Sequence, residues 1–353
     1  MRVETFTGTK QEWNDFVGAN HGAIHQSYEW GEFRTGRGWQ PERFVVRDGT
    51  KIRAAASVLA KPLPLGFTML YVPEGPTVLK NDWKDTKNQT AVKTLFGEIR
   101  QHAKRKRAIF LKVDPHLPTD QFPLAWLQKL GFNDSPEDIQ PAHVAHVDLS
   151  GSEDDILARM KQKGRYNIRY AGRKGVTVTQ STSEQDLETW YRLVKATAER
   201  QGITYRSYDY FTDFRKHFMV DSDLASIFIA YYEGRPIAAT LVSYFGDRSV
   251  YLYGGSSEKD RNVYGAYLVQ WEGMMEAKRR GMQVYDMTGI ADTDDPSNPW
   301  YGLRQFKLKF GPETPHLVGA WDLVYRPAMY FLFTNAERAR RGFAKFRGLI
   351  RYH

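Results

Sequence analysis

The feature that most limits the possible fold of this chain is an internal repeat. The stretch FVVRDGTKIRAAASVLA (44–60) consists of an apolar run, an Asp-Gly step and a second apolar run, and FIAYYEGRPIAATLVSY (228–244) repeats this pattern with Glu-Gly. An acidic-Gly step between two strand-like runs indicates a β-hairpin. Farther along each half, FGEIRQHAKRKRAIFLKVDP (96–115) and WEGMMEAKRRGMQVYDMTG (271–289) both predict an amphipathic helix, a basic segment and a strand.

Each half also closes with a further strand, HVAHVDL (143–149) in one case and LVGAWDLV (317–324) in the other. Four matching features in one order predict two copies of a mixed α/β unit, built from a hairpin, a crossover helix and a strand pair. The predicted fold class is therefore α/β, with two tandem N-acetyltransferase-like (GNAT-like) domains and a basic C-terminal helical tail. We expect residues 1–147, completed by 318–353, to form the first domain and residues 148–317 the second.

A dense cluster of positive charge begins the second copy. Seven Lys or Arg and no acidic residue lie between Ile156 and Lys174. Four of these cations recur every four residues, which places them along one face of a helix. They are Lys161, Arg165, Arg169 and Arg173. The spacing fits either a solvated helix face or a surface for a polyanionic partner.

Composition narrows the chemistry without choosing a substrate. The chain has a net charge of +9, which favours anionic partners, and it has no cysteine, which excludes thiol catalysis and disulfides. The N-terminus lacks the apolar stretch of a signal peptide, and no run is long enough to span a bilayer. We therefore expect a cytoplasmic protein.

Two common kinds of site are disfavoured. Acetyl-CoA enzymes of the predicted fold bind the pyrophosphate with a glycine-rich loop before a helix. Here that loop reads EKDRNVYGAY (258–267), with one residue too many and without the first glycine. His143 and His146 are expected on opposite faces of a strand, so no metal site is predicted.

Several stretches taken together resemble the Fem family of peptidoglycan bridge-forming aminoacyltransferases, FemABX, over about residues 25–327. The stretches are QSYEWGEFRTGRGW (26–39), LKVDP (111–115), the segment from Val147 to Val176, GITYRSYDYF (202–211), YLYGGSS (251–257), the segment from Leu268 to Ile290, YGLRQFKLKFG (301–311) and GAWDLVYRP (319–327). The resemblance implies the tandem fold and a C-terminal segment that returns to the first domain. Because 153–202 leaves room only for short helices, it implies the compact form without a coiled-coil arm.

The resemblance also implies an activity. Family members transfer an amino acid from aminoacyl-tRNA, a co-substrate rather than a cofactor, to the stem-peptide amino group of a peptidoglycan precursor. The acceptor is UDP-MurNAc-pentapeptide or lipid II. Such an ester needs no covalent enzyme intermediate, so direct aminolysis by the acceptor amine is expected, with the tRNA bound by the four cations spaced along residues 161–173.

The family's functional positions fall on seven residues of this sequence. Phe306 and Lys307 match its catalytic pair, and a lysine there could stabilise the oxyanion while the ring could stack on the terminal adenine or shape the wall of the site. Asp114 matches an acidic residue near the acceptor peptide, where it could orient the amine or accept its proton. The expected phosphate- and sugar-contacting residues are Arg34, Arg206, Tyr210 and Tyr251.

Some alternatives remain open at this stage. Arg37 competes with Arg34 for the phosphate role. The basic, aromatic tail suits either packing on the first domain or contact with the inner face of the membrane. Rival functions are an acyl-CoA-dependent N-acyltransferase, a non-catalytic RNA-binding module, and a related enzyme that uses another acceptor.

Overall fold

The computed structural model describes residues 1–346 and 350–351. In chain order its first elements are β1 (Arg2–Thr5), α1 (Lys10–Ala19), α2 (Tyr28–Thr35), β2 (Gln40–Asp48), β3 (Lys51–Pro62), β4 (Thr68–Val72), β5 (Thr77–Val78), α3 (Thr86–Arg105), β6 (Ala108–Val113), α4 (Leu124–Lys129), β7 (Asn133–Asp134) and β8 (Val144–Asp148). The following elements are α5 (Glu153–Arg159), α6 (Gln162–Arg173), β9 (Thr177–Ser181), α7 (Glu184–Arg200), β10 (Ile203–Thr204), α8 (Tyr208–Arg215), β11 (Ala225–Tyr232), β12 (Arg235–Phe245) and β13 (Arg248–Ser256). The last are α9 (Gly265–Arg279), β14 (Val284–Gly289), α10 (Tyr301–Lys307), β15 (Trp321–Val324), α11 (Pro327–Phe346) and β16 (Ile350–Arg351).

Two compact units divide these elements. The first contains residues 1–142 and 316–343, and the second contains residues 143–315 together with the described tail residues 344–346 and 350–351, which were expected in the first domain. The sheet of the first unit has the strand order β1-β2-β3-β4-β6-β15-β7, with β5 paired to β3. The sheet of the second unit has the order β8-β14-β13-β12-β11-β9. In each sheet one parallel pair, β4 with β6 or β13 with β14, lies among antiparallel neighbours. The predicted mixed α/β fold with two tandem copies is confirmed.

The final strand of each repeat belongs to the other sheet. β15 comes from the end of the chain and pairs antiparallel with β6, while β8 comes from the middle of the chain and pairs antiparallel with β14. The two strands occupy equivalent places in the two sheets, as their matching order in the sequence predicts. The expected boundary after residue 147, however, assigned residues 144–147 of β8 to the first domain, whereas this strand completes the second sheet.

Both predicted hairpins are present, with turns of different type. Asp48 pairs with Lys51 around a loop that begins at Gly49, whose φ is 63°. In the second hairpin Glu233 and Gly234 both have positive φ, as a type I′ turn requires. Each hairpin buries one face against a helix layer, α3 in the first unit and α9 in the second.

The basic stretch forms two helices rather than one. Ser152, followed three residues later by Asp155, caps α5 through a capping box. The chain then turns at Met160, whose ψ of 153° is extended, and α6 begins at Gln162. Gly164 lies inside α6, and this position requires a glycine because a Cβ there would come within 2.2 Å of the Lys309 carbonyl oxygen.

The three helices between residues 153 and 202 have 7, 12 and 17 residues, as the compact form requires. Within the described part of the chain, no helix combines the length and the apolar character needed to cross a bilayer.

Candidate active site

Lys307 is a buried cation in the second unit. It is the last residue of α10 and is only 2% exposed. Its ammonium donates a hydrogen bond to the Gly289 carbonyl at 2.7 Å and lies 3.4 Å from the Thr288 hydroxyl. Burial lowers the pKa of Lys307 to about 8, against the opposing effect of the Asp286 carboxylate. At pH 7 the side chain is therefore still mainly charged, in surroundings where a charge acts strongly.

An irregular end of β14 supplies both oxygen atoms that Lys307 contacts. The pairing of β14 with β8 shifts between Asp286 and Gly289, and Thr288 has a φ of 61°, which is rare for a β-branched residue. The Asp286 carboxylate accepts a hydrogen bond from the Thr288 amide at 2.6 Å and also meets Arg248 at 3.3 Å. Asp286 therefore fixes the backbone beside the lysine. Bulges and strained residues of this kind are common next to active sites.

Tyr251 and Tyr253 lie on opposite faces of β13, although residues two apart on a regular strand share one face. The register between β12 and β13 shifts, so that Tyr253 pairs with Leu241 while Tyr251 pairs with the next residue, Val242. Because neighbouring residues on a strand point to opposite faces, their partners do so as well. The β-bulge sends Tyr251 toward Lys307 and Tyr253 toward a separate aromatic cluster.

Tyr251 forms a wall beside the lysine. The Lys307 ammonium lies 5.8 Å from the centre of the Tyr251 ring, within reach of a cation–π interaction. Burial raises the pKa of Tyr251 to about 12, which keeps its hydroxyl protonated as a hydrogen-bond donor. Gly254 makes room for this side chain, since a Cβ there would approach the Tyr251 hydroxyl oxygen to 2.5 Å.

Arg206 and Tyr210 come together at the start of α8. Ser207 caps this helix by accepting from the Tyr210 amide, and the Arg206 guanidinium lies 5.1 Å from the centre of the Tyr210 ring. Both side chains hydrogen-bond with Tyr253, whose pKa burial raises. The predicted pair thus forms one group with a tyrosine to which the sequence gave no role.

Phe306 packs among aromatic rings instead of standing alone. Its ring lies 5.0 Å from that of Tyr267 and 5.3 Å from that of Phe310. The Tyr267 hydroxyl in turn accepts from the Lys309 ammonium at 2.9 Å. These contacts hold the end of α10, and with it Lys307, against α9.

The four regularly spaced cations have different surroundings. Arg165 is half-buried and donates to the carbonyl groups at the end of α5, those of Ala158 and Met160 among them. Lys161 is the residue before α6, and its amide donates to the Lys309 carbonyl at 3.1 Å. Arg169 and Arg173 are exposed on α6. Only part of the positive charge is therefore fully available to a partner.

Arg34 of the first unit lies within cation–π distance of two indole rings. Its guanidinium is 4.9 Å from the centre of the Trp39 ring and 5.8 Å from that of Trp30. Arg37 instead lies 5.9 Å from the Phe33 ring. Arg34 is the better placed of the two for planar recognition, because stacking on aromatic faces fixes a guanidinium plane.

Asp114 follows β6 directly and is buried in the first unit. One carboxylate oxygen accepts from the Tyr71 hydroxyl and the other from the Glu74 amide, both at 2.6 Å. Burial raises the pKa of Asp114 to about 8, although both hydrogen bonds lower it. Tyr71 also packs 6.4 Å from the Trp39 ring. A carboxyl group with a pKa near neutrality is suited to exchange a proton with an amine.

A group beside Asp114 escaped the sequence reasoning. The Glu74 carboxylate lies between two histidines, contacting His25 through one oxygen and His116 at 2.7 Å through the other. Glu74 itself has a φ of 47°, in the left-handed region. The three residues are far apart in sequence and form no motif. The available signal was that Glu74, like Asp114, closely follows the end of a strand.

The loop before α9 does not have the form of a pyrophosphate cradle. A short helical turn at Arg261–Val263 leads into Tyr264, whose φ is 57°. The tyrosine ring contacts Tyr267 and Tyr170. Where acetyl-CoA enzymes present glycine amides, this chain thus places a tyrosine in the left-handed region.

The matching strand orders of the two sheets define a protein with two tandem GNAT-like units. The crystal structure of FemX matches with a TM-score of 0.86 and 24% identity, over 93% of this chain and 99% of that one. A tandem GNAT protein from the clavulanic acid biosynthesis pathway matches with a TM-score of 0.54 and 14% identity, over 91% and 97%. Both likenesses concern the fold.

Sequence similarity identifies the family of the chain, which is a narrower assignment than its fold. The FemAB family model matches residues 9–125, 127–235 and 222–338, so this chain belongs to the FemAB family. A lipid II:glycine glycyltransferase of Staphylococcus saprophyticus is 25% identical over 95% of this chain and 96% of its own length. The resemblance drawn from the sequence motifs is confirmed.

Proposed function

We propose that this protein transfers an amino acid from aminoacyl-tRNA to the stem-peptide amino group of a peptidoglycan precursor, and so builds the interpeptide bridge. Family membership and full-length relatives named as lipid II:glycine glycyltransferases support this reaction. The observation that carries it is Lys307, a buried ammonium at the position of the family's catalytic lysine. A charge is costly to bury, and such a group is a candidate for a functional site.

The reaction is direct aminolysis. The acceptor nitrogen attacks the ester carbonyl, the carbonyl–ribose oxygen bond breaks, and the proton lost by the nitrogen reaches the departing ribose hydroxyl. Negative charge builds on the carbonyl oxygen in the transition state, and Lys307 stabilises it as a fixed cation in a site with little water. Phe306 stacks on the terminal adenine of the donor.

Acceptor contacts are assigned in each unit. In the first unit Arg34 binds phosphate oxygens bidentately, and Asp114 orients the amine or takes up its proton. In the second unit Arg206 and Tyr210 bind phosphate and sugar, and the protonated hydroxyl of Tyr251 donates a hydrogen bond to the acceptor. The exposed cations of α6, Arg169 and Arg173 above all, bind the phosphates of the tRNA.

The decisive experiment is reconstitution. Purified protein, glycyl-tRNA and either UDP-linked or lipid-linked muramyl pentapeptide should yield an acceptor heavier by one or more glycines, and Lys307→Met should yield none. Failure with every amino acid and both acceptors would overturn the proposal. Thermal stabilisation by acetyl-CoA but not by tRNA would favour an acyl-CoA enzyme instead.

A lipid-linked acceptor also accounts for an apolar surface of the first unit. Leu65 is 80% exposed on a turn before β4, and Phe331 is 68% exposed on α11. Leu63 and Phe67, on either side of Leu65, and Tyr330, next to Phe331, pack on the same hydrophobic cluster of the first unit. Two cations from separate segments, Arg107 and Arg326, lie over the ring of Phe67 beside this turn. Apolar side chains with nearby cations suit the anionic inner face of the plasma membrane.

Vesicle sedimentation tests this membrane contact. The wild-type protein should sediment with phosphatidylglycerol vesicles, and the double change Leu65→Ser and Phe331→Ser should weaken the binding severalfold. Val220→Ser, which removes an apolar side chain 58% exposed on the second unit, is the matched control. Equal binding by the double variant and the wild type would contradict a membrane role for this surface. The tail residues 347–349 and 352–353 lie outside the described residues.

A further inference from the structure

A continuous line of ring contacts runs through the second unit from Phe306 to the basic helix α6. The ring of Phe306 lies 5.0 Å from that of Tyr267, which lies 5.9 Å from that of Tyr264. Tyr264 lies 5.6 Å from Tyr170, and Tyr170 lies 5.6 Å from Tyr166. The line therefore begins beside Lys307 and ends on the helix that carries the most concentrated positive charge.

Exposure rises along this line. Tyr267 is 8% exposed and belongs to the hydrophobic core of the unit, whereas Tyr166 is 51% exposed and lies outside that core. The rings of Tyr166 and Tyr170 are tilted by 32° from parallel. Core packing explains the buried end of the line, but it does not account for the half-exposed ring of Tyr166 at the other end.

Cations accompany the exposed rings. The Arg173 guanidinium lies 6.0 Å from the centre of the Tyr166 ring, and the Lys174 ammonium lies 5.5 Å from that of Tyr170. The close approach at Gly164 and the bond from the Lys161 amide fix the start of α6 against the Lys309 carbonyl, two residues from Lys307. The helix that carries Tyr166 and Tyr170 is thus fixed relative to the candidate catalytic lysine within the same unit.

We infer that Tyr166 and Tyr170 form a stacking platform for the unpaired nucleotides at the 3′ end of the tRNA donor. Aromatic rings interleaved with cations are how proteins bind single-stranded nucleic acid: bases stack on the rings and phosphates pair with the cations. The terminal adenosine then lies at Phe306, and the nucleotides before it extend toward Tyr166. This inference rests on the proposed use of aminoacyl-tRNA.

The probe pair is a deacylated tRNA and the same tRNA without its unpaired 3′ nucleotides, with binding to the full-length protein followed by fluorescence anisotropy. Tyr166→Ala should weaken binding of the intact tRNA about tenfold and leave binding of the shortened tRNA unchanged. Tyr166→Phe should restore wild-type affinity, because a phenyl ring also stacks. The salt dependence should be the same in all three proteins, since stacking releases no counterions.

A surface lysine on another helix is the control. Lys195→Gln on α7, exposed and four residues from Glu199, should leave both affinities unchanged. Equal losses on the intact and shortened tRNA, or no loss on either, would overturn the platform. If the wild-type protein binds the intact tRNA and transfers an amino acid while Tyr166→Ala behaves as wild type, only this inference fails. If the wild-type protein binds neither RNA, the donor assigned in the proposed function fails as well.

Discussion

Replacing Lys307 by methionine should abolish transfer and at the same time make the protein more stable at neutral pH. The folded protein holds this ammonium almost fully buried, and its pKa falls from 10.5 to about 8. One pKa unit corresponds to about 1.4 kcal/mol, so burying the charged form costs about 3 kcal/mol at pH 7. Methionine has a similar length and carries no charge.

Part of the stability gained by removing the charge is offset by a lost hydrogen bond. The Gly289 carbonyl loses its hydrogen bond from the ammonium, which costs about 1 kcal/mol. The expected net effect of Lys307→Met is an increase of about 2 kcal/mol in the free energy of unfolding at pH 7. Because the folded pKa lies below the unfolded one, the cost of the charge is complete below pH 8 and disappears as the pH rises toward 10.5. The gain should therefore shrink between these values.

Urea unfolding of both proteins at pH 7.0 and pH 9.5, followed by circular dichroism, measures the two differences. Lys195→Met, at an exposed position on α7, should change the free energy of unfolding by less than about 0.5 kcal/mol at either pH. A Lys307→Met protein that is less stable than the wild type at pH 7, or equally stabilised at both pH values, would refute the reasoning.

Further outcomes are expected for four variants. Above pH 8, where Asp114 is already mainly ionised, the rate of a single turnover of transfer should fall as Lys307 loses its charge, and Lys307→Arg should remove that fall because a guanidinium stays charged. Asp114→Asn should abolish transfer. The raised pKa of Asp114 makes the wild type lose stability as the pH rises from 3.8 toward about 8. Asp114→Asn has no such titration. Its free energy of unfolding, measured by urea titration, should therefore rise relative to that of the wild type across this pH range. Arg165→Gln removes donors to the carbonyl groups ending α5 and should cost about 1–2 kcal/mol of stability. Arg169→Gln should leave stability unchanged and reduce the slope of log affinity for tRNA against log salt by about one, and a slope equal to that of the wild type would remove Arg169 from the RNA-binding surface.

The sequence predicted the repeated elements because their signals are local. Acidic-Gly steps specify hairpins through backbone conformation, and Ser152 specifies a helix start through a capping box, so both features could be read without knowing the fold. The equivalence of 143–149 and 317–324 could also be read from their order. Which sheet each strand joins could not, because strand pairing depends on contacts far apart in the chain.

The errors at the site have a different cause. A single bulged residue on β13 separates the faces of Tyr251 and Tyr253, and a strict alternation of period two cannot anticipate it. The group of His25, Glu74 and His116 joins three distant segments and has no spacing to recognise. The positions of Lys307 and Asp114 came from family motifs. Their burial and shifted pKa values emerged only from the packing around them.

The exchange of closing strands between the repeats has a consequence for synthesis on the ribosome. When residue 142 has emerged, the sheet of the first unit still lacks β15, so the side of β6 that will receive it has unpaired backbone groups. Such an open edge invites pairing with other chains. It remains open until residues 321–324 are translated, near the end of the chain. The nascent protein must therefore keep an incomplete N-terminal half soluble while the whole second half is made, and chaperone depletion should affect it more than a protein whose domains finish in order.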